Sequence, residues 1–541
     1  MMKLIIKHGS AKYAIFVLLG LVVMSIEGFL LPETIRRVIK GLENRSMEEL
    51  AYGVGFGIVG FLVLGLGGYF YQYSTAKLMK NFNTSVKLII YEHHVYKYQK
   101  SSKSRSSDVL SFLQNDLKLL ESNYISATIN AFQTIVLVIV ASGYILLIHF
   151  WLGIIFIIFA LITMIFPKLN QKKIEKSAAD WSKANEDYTN ELTENIKGVE
   201  TIIGYQREQT FFERLKANIT NSESKNVKMT MAQAGANLTA YVASHILSLI
   251  PVFIGGFFVF NGSLEVNALI AVYIASDRIA NPLAVTAGCI NRISTTKGIR
   301  KKLTMLEREN SAFKQNDNHS LTSILPLKIQ NGRIQFENNL ILDGFNLEIL
   351  PGSKLLLLGE SGSGKTTIIN IIQQVLPLTD GQITYGGKIE HSARAINRNI
   401  SYIRQTPMIF NDTLEFNLTL GEDFKHEELN RAVKAAGLSS VVEEKGLDFV
   451  LGESGKHLSG GQNQRVEIAR AILRERELLI ADEVTAALDK DTAEGIHNTL
   501  FNLPQAIIEI SHHVNEDDLV KYNYVYQIGN KKLHSKRITV K

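Results

Sequence analysis

The run Gly359-Glu360-Ser361-Gly362-Ser363-Gly364-Lys365-Thr366-Thr367 has the residue types and spacing of a phosphate-binding loop. Its glycines let backbone N–H groups wrap phosphate oxygens at the start of a helix. Lys365 is placed to reach the β and γ phosphates, and the Thr366 hydroxyl to ligate Mg²⁺. Phosphate chemistry of this kind also needs carboxylates, and Asp482-Glu483 offer two. Asp482 is expected to hold Mg²⁺ through water, and Glu483 to polarise an attacking water.

These groups act together only if regular elements hold them. Leu355-Leu356-Leu357-Leu358 is a continuous apolar run of the sort a buried strand gives, and it leads straight into the loop, after which a helical pattern starts at Ile368. Leu478-Leu479-Ile480-Ala481 reads as a second buried strand ending in the Asp-Glu pair. Strand, loop and helix together predict an α/β domain with its chemistry at strand ends.

Between the two motifs lies Leu458-Ser459-Gly460-Gly461-Gln462, and with it the second half of the chain resembles the ABC ATPases. That resemblance implies further roles. Gln405, in Ile403-Arg404-Gln405-Thr406-Pro407, matches the family's glutamine that senses Mg²⁺ and the coupling helices. Asp489, in Ala487-Leu488-Asp489, matches the loop that crosses the dimer interface, and His512 matches the switch histidine that contacts the γ-phosphate. Phe336 stands where the family usually has a tyrosine stacked on adenine, and Gly452-Glu453-Ser454-Gly455 resembles a loop peculiar to exporters. The family's sites form between the phosphate loop of one subunit and the Ser459-Gly460-Gly461-Gln462 signature of another. A pair is therefore implied, either a homodimer or a heterodimer with a related half-transporter, with ATP and Mg²⁺ bound.

The first half of the chain lives in a different solvent. A bilayer core needs about 20 apolar residues per helix, and stretches at roughly 13–33, 52–73, 125–149, 151–169, 237–260 and 266–287 qualify. Six spans put both ends on one side. The long segments after the second and fourth spans are rich in Lys and Arg, which makes them cytoplasmic together with the N-terminus and the C-terminal half. One loop dissents, since Arg36, Arg37, Lys40 and Arg45 follow the first span, accompanied by Glu33, Glu43, Glu48 and Glu49. The long segments carry apolar residues at helical spacing and are expected to continue as helices into the cytosol. Pieces at 107–116 and 194–208 resemble the intracellular loops of ABC exporters, which carry short coupling helices in that family.

The expected architecture is an α-helical membrane domain of six transmembrane helices with long cytoplasmic extensions over 1–312, a linker over 313–325, and an α/β P-loop ABC ATPase domain over 326–541. The first apolar run follows Lys3, Lys7 and Lys12 and passes into Pro32 and Glu33 without a small-x-small cleavage site, so a retained span is expected rather than a signal peptide. The single cysteine, Cys289, rules out an internal disulfide and a multi-cysteine zinc site. The net charge of +6 is modest and its basic residues flank apolar runs, where anionic headgroups attract them, so no nucleic-acid partner is expected.

Ionisable residues within spans are costly in lipid and are candidates for function. Here they are Glu27, His245, Asp277 and Arg278. Either they face a substrate cavity, or Asp277 and Arg278 pair with other helices as structural glue and Glu27 sits near the interface; Glu27 is the first candidate for a carboxylate that favours cationic cargo. The glycines Gly53, Gly55, Gly57 and Gly60 are expected to permit close helix packing. Taken with the resemblance, this predicts ATP-driven export of a hydrophobic or amphipathic peptide, drug or lipid. An ATP-gated channel on the same scaffold is the other class, and the intact Glu483 disfavours it. No Cys/His peptidase module precedes the first span, which argues against a transporter that also cleaves leader peptides.

Overall fold

The computed structural model describes residues 3–98, 106–163, 171–315, 321, 323–336, 339–360, 362–389, 392–484, 490–511 and 516–537. It divides into two compact units, Met1–Leu88 with Ser111–Thr304, and Ile89–Leu110 with Met305–Lys541.

The first unit is helical. Among the described residues, five helical stretches are long and apolar enough to cross a membrane: Ala11–Glu43, Met47–Val95, Val109–Ile148, Glu208–Phe260 and Val266–Thr295. The apolar helix Phe150–Ile162 is shorter, and the end of the fourth expected span, from 164 onward, lies outside the described residues. Large apolar side chains such as Leu66, Leu147, Trp151 and Phe253 point outward, as helices dissolved in lipid require. Pro32, Pro251 and Pro282 sit inside spanning helices, where neighbouring helices must satisfy the backbone groups each proline frees.

Glycines set how closely two of these helices approach. A Cβ on Gly57 would lie 2.6 Å from Thr34 Cγ2, and one on Gly60 would lie 2.3 Å from Leu30 Cδ1. Gly53 meets Arg37 in the same way, whereas Gly55 has nothing within 4 Å and takes no part in the packing. The basic residues after the first span mostly continue its helix. Glu33 accepts from Arg36 Nε at 2.7 Å, from Arg37 Nε at 2.8 Å and from the Tyr144 hydroxyl at 3.0 Å. The Arg37 guanidinium also lies over the rings of Tyr52 and Phe56, at 5.3 and 4.7 Å. Both arginines lie on the helix Ala11–Glu43 rather than in a loop, half-buried and paired with Glu33.

The second unit contains two sheets among its described residues. The strands are β1 (Leu327–Phe336), β2 (Asn339–Ile349), β3 (Lys354–Leu358), β4 (Asp380–Tyr385), β5 (Ile400–Ile403), β6 (Leu478–Asp482), β7 (Ala506–Ser511), β8 (Tyr524–Gly529) and β9 (Lys532–Arg537). One sheet is antiparallel with order β2-β1-β4; the other has order β5-β6-β7-β3-β8-β9 and is parallel except for the β8–β9 hairpin. Leu355, Leu357, Ile480, Ile508 and Ile510 join a buried core with Ile368 and Ile372 of the helix after the phosphate loop. The near-continuous apolar character of β3, β6 and β7 follows from being covered on both faces.

Candidate functional site: a nucleotide site and a membrane cavity

Parallel strands align their carboxyl ends along one edge, where α/β sheets bind ligands. The register is close: Leu358 pairs with Ser511, Ile510 with Asp482, and Ala481 with Ile403. That single edge therefore carries the phosphate loop after β3, Asp482 and Glu483 at the end of β6, and Gln405 just beyond β5. The segment after β7 begins there too; His512 within it lies outside the described residues, as do Ser361 and Asp489.

The loop needs its glycines. Gly362 and Gly364 have φ of +79° and +111°, in the left-handed region that other residues enter at a cost, and a Cβ on Gly364 would lie 2.9 Å from Ile341. Gly364 caps the helix Lys365–Ile372, so the helix's free N–H groups open toward the loop. Lys365 is buried and donates from Nζ to the carbonyl oxygens of Gly359 and Glu360, at 2.6 and 2.9 Å. Burial pulls its ammonium below the usual lysine range, against the nearby carboxylates of Glu483 and Asp482, which raise it. The Ser363 hydroxyl is buried with no hydrogen-bond partner among the described residues, and a Cβ on Gly359 would sit 2.6 Å from it. An orphaned donor in a cradle that only glycine leaves open fits a phosphate ligand. Thr366 and Thr367 follow in the helix's first turn.

Gln405 Nε2 donates to Glu483 Oε2 at 2.6 Å, and the Tyr402 hydroxyl donates to Asp482 Oδ2 at 2.9 Å. Glu483 has φ of +50°, unusual for a residue with a side chain, and its N–H donates to the Ile510 carbonyl at 3.1 Å. That strain falls at the residue whose carboxylate faces the loop's lysine, where strain is often part of function. No group of three or more His, Cys, Asp or Glu side chains suited to a metal occurs among the described residues. The oxygen donors of Thr366, Asp482 and Gln405 suit Mg²⁺, which is held by few protein ligands and completed by phosphate and water.

Sequence reading missed Tyr402 and also the bracing of Gln405. The signature residue Ser459 caps the helix Gly460–Leu473 in a capping box with Gln462. Further along that helix, Gln464 Nε2 donates to the Arg404 carbonyl at 3.1 Å, Glu467 Oε2 accepts from the Met408 N–H at 3.0 Å, and Arg470 Nη1 donates to the Met408 carbonyl at 3.0 Å. The helix that begins at the signature thus grips the backbone on both sides of Gln405. Its 3.6-residue period puts Gln464, Glu467 and Arg470 on one face, which was the only available signal. Gly460 and Gly461 open the helix next to Ser459. Phe336 lies at the partly exposed end of β1, paired with Asn339. Asn339 is one of the residues that line a cavity of about 910 Å³ beside Gly359, Glu360, Gly362 and Ser363.

The ionisable residues of the spans are also brought together. His245, Asp277 and Arg278 line one cavity of about 330 Å³, alongside Phe156, Phe159 and Tyr273. Glu27 does not line it. Its Oε1 lies 3.0 Å from Arg278 Nη1 in an ion pair, so the carboxylate expected to face cargo is matched by a cation.

A glycine-lined phosphate cradle, a strained glutamate beside it and a capped Ser-Gly-Gly-Gln helix define a P-loop nucleotide-binding cassette, here in one chain with membrane-spanning helices. The chain belongs to the ABC transporter family. Residues 9–276 match the family model of the ABC transporter transmembrane region, and residues 342–486 match the ABC transporter model. It is 30% identical to the ATP-dependent lipid A-core flippase of Desulfotalea psychrophila, over 63% of this chain and 59% of that one. It is 29% identical to a lactococcin-G-processing and transport ATP-binding protein of Lactococcus lactis, over 64% and 50%. It is 26% identical to a β-(1→2)glucan export ATP-binding/permease protein of Brucella suis, over 67% and 60%. The matched region thus spans only half to three-fifths of the length of these relatives. Among solved structures, a bacterial Atm1-family ABC exporter with ATP bound shares the fold, with a TM-score of 0.77 over 98% of this chain and 95% of that chain, at 18% identity.

Proposed function

We propose that two copies of this chain pair to form an exporter that moves an amphipathic molecule across the membrane at the expense of ATP. Residues 1–312 would serve as the membrane part, 313–325 as the linker and 326–541 as the cassette. The observation that carries the reading is the convergence of Lys365, Asp482, Glu483 and Gln405 on one sheet edge, in a chain whose other unit is built of membrane-length helices.

In this account Gly359 to Thr367 wrap the phosphates of ATP through backbone N–H groups. Lys365 exchanges the carbonyls of Gly359 and Glu360 for phosphate oxygens. Thr366, Asp482 and Gln405 would hold Mg²⁺, which would neutralise charge on the phosphates when bound. Glu483 orients a water and accepts its proton as the oxygen attacks the γ-phosphorus and the bond to ADP breaks. Gln405 holds the carboxylate that does so. His512 would meet the γ-phosphate, Phe336 the adenine, and Ser459, Gly460, Gly461 and Gln462 would complete the site on the second copy, with Asp489 at the crossing. Because positioning supplies most of this catalysis, pairing assembles the site and hydrolysis releases it. The relatives' names span lipid A-core, lactococcin-G and glucan cargo, which supports export without choosing among them.

The test is vanadate-sensitive ATP hydrolysis by the purified full chain in lipid, screened for stimulation by peptide, drug and lipid panels. Hydrolysis that rises with amphipathic cargo supports the proposal. A chain that binds ATP but never turns it over contradicts it.

A further inference from the structure

Charge inside the membrane unit is arranged unevenly. The helices Glu27–Glu43 and Val266–Thr295 are tied by the Arg278–Glu27 ion pair at 3.0 Å, in which each charge cancels the other. Asp277, the next residue along, has no such partner: its Oδ1 accepts from the neutral amide of Asn281 at 2.7 Å, and no cation lies within ion-pair range of it among the described residues. Yet Asp277 lines the 330 Å³ cavity. A carboxylate kept at membrane depth without a counter-ion is costly unless water or a ligand meets it. Arg278, committed to Glu27, lines the same cavity. The rest of the wall is mostly apolar or aromatic, with Phe156, Phe159 and Tyr273 the largest groups, and His245 adds an imidazole braced edge-on against Tyr241 at 4.3 Å between ring centres. Small-molecule sites have this composition, with a volume upward of about 300 Å³ and few polar groups that fix orientation.

We propose that this cavity binds an amphiphile with a protonated amine. Asp277 is the counter-ion of the ammonium, Phe156, Phe159 and Tyr273 take the apolar body, and the Glu27–Arg278 pair keeps a competing cation away from Asp277. The role of the cavity in cargo selection rests on the export reading above; the ligand's charge rests on the cavity alone. The arrangement has a reciprocal consequence. Removing the Glu27 charge frees Arg278, turning the local balance toward anions, whereas removing the Asp277 charge leaves a neutral pair and no preference.

The experiment is equilibrium binding to the full chain in lipid nanodiscs, without nucleotide and corrected for empty discs. The probes are dodecylammonium, dodecanol and dodecanesulfonate, which share a tail. Wild type is expected to hold the ammonium about tenfold more tightly than the alcohol, equivalent to roughly 1.4 kcal/mol. Asp277→Asn should erase that preference, Asp277→Glu should retain it, and Glu27→Gln should move preference toward the sulfonate. Melting temperatures of all variants check that the fold survives; if Asp277→Asn does not fold, the Glu27→Gln arm still decides. Equal binding of the three probes by wild type, or an unchanged cation preference in Asp277→Asn, overturns the assignment. With no nucleotide present, either result leaves ATP-driven export untouched. Conversely, cation binding in a chain that moves no cargo with ATP overturns export and leaves the cavity.

Discussion

Gln405 donates its side-chain amide to the carboxylate of Glu483 at 2.6 Å, joining residues 78 apart in the chain across the ends of β5 and β6. The same carboxylate lies near the Lys365 ammonium, on a backbone with φ of +50°. A glutamate fixed by a neighbour and by strain is held ready rather than merely present.

Glu483→Gln preserves size and can still accept from Gln405, but an amide takes no proton. ATP binding should persist while steady-state hydrolysis falls by about 10²–10⁴-fold, the usual contribution of a positioned base. Nucleotide retention and phosphate release on the one variant check this; near-normal turnover would remove Glu483 from the role.

Lys365→Ala takes away a charged donor that meets either loop carbonyls or phosphate. A charged hydrogen bond contributes roughly 1.5–3 kcal/mol, so ATP affinity should fall on the order of ten- to a hundredfold. Titration with a fluorescent nucleotide measures it, and an unaltered affinity would undo the phosphate-loop assignment.

Glu467 is buried and takes the Met408 N–H; burial pushes its carboxyl above the usual range, opposed by the charges of Arg470 and Arg404. Glu467→Ala leaves that N–H without an acceptor, a cost of about 1–3 kcal/mol. It also loosens the segment that aims Gln405. Melting temperature should drop, and hydrolysis should suffer more than ATP binding. Equal loss of both would point to general unfolding instead.

Lys354, at the start of β3, donates to the carbonyls of Leu503 and Gln505 at 2.6 and 2.7 Å, and burial pushes its pKa down to about 8. As pH rises from 8 toward the ordinary 10.5, the folded chain gives up this proton while the unfolded chain keeps it. The unfolded state then binds more protons, so this residue's contribution to stability increases with pH over that window. A neutral amine still donates both bonds. Comparing melting curves of wild type and Lys354→Met across that window tests the sign: wild type should gain on the variant.

Much of this was legible in the chain because the signals are local. The phosphate loop is contiguous and must follow a strand, and membrane spans declare themselves by length and hydropathy. What escaped is non-local. Tyr402 and Glu467 look like ordinary polar residues until β5 and the signature helix are set beside β6. The pairing of Glu27 with Arg278 joins helices far apart in sequence, so each charge could be recognised as costly without its partner being known. The charges of Arg36 and Arg37 after the first span are a local case by contrast, paired with Glu33 at i,i+3 and i,i+4 spacing on the same helix.

The most direct test of the central claim is ATP-dependent accumulation of labelled dodecylammonium in inside-out proteoliposomes containing the full chain, run beside Glu483→Gln and empty liposomes. The account predicts accumulation above the passive level in wild type with Mg-ATP, abolished in Glu483→Gln. Hydrolysis by wild type with no movement of cargo, or equal accumulation in Glu483→Gln, would contradict it.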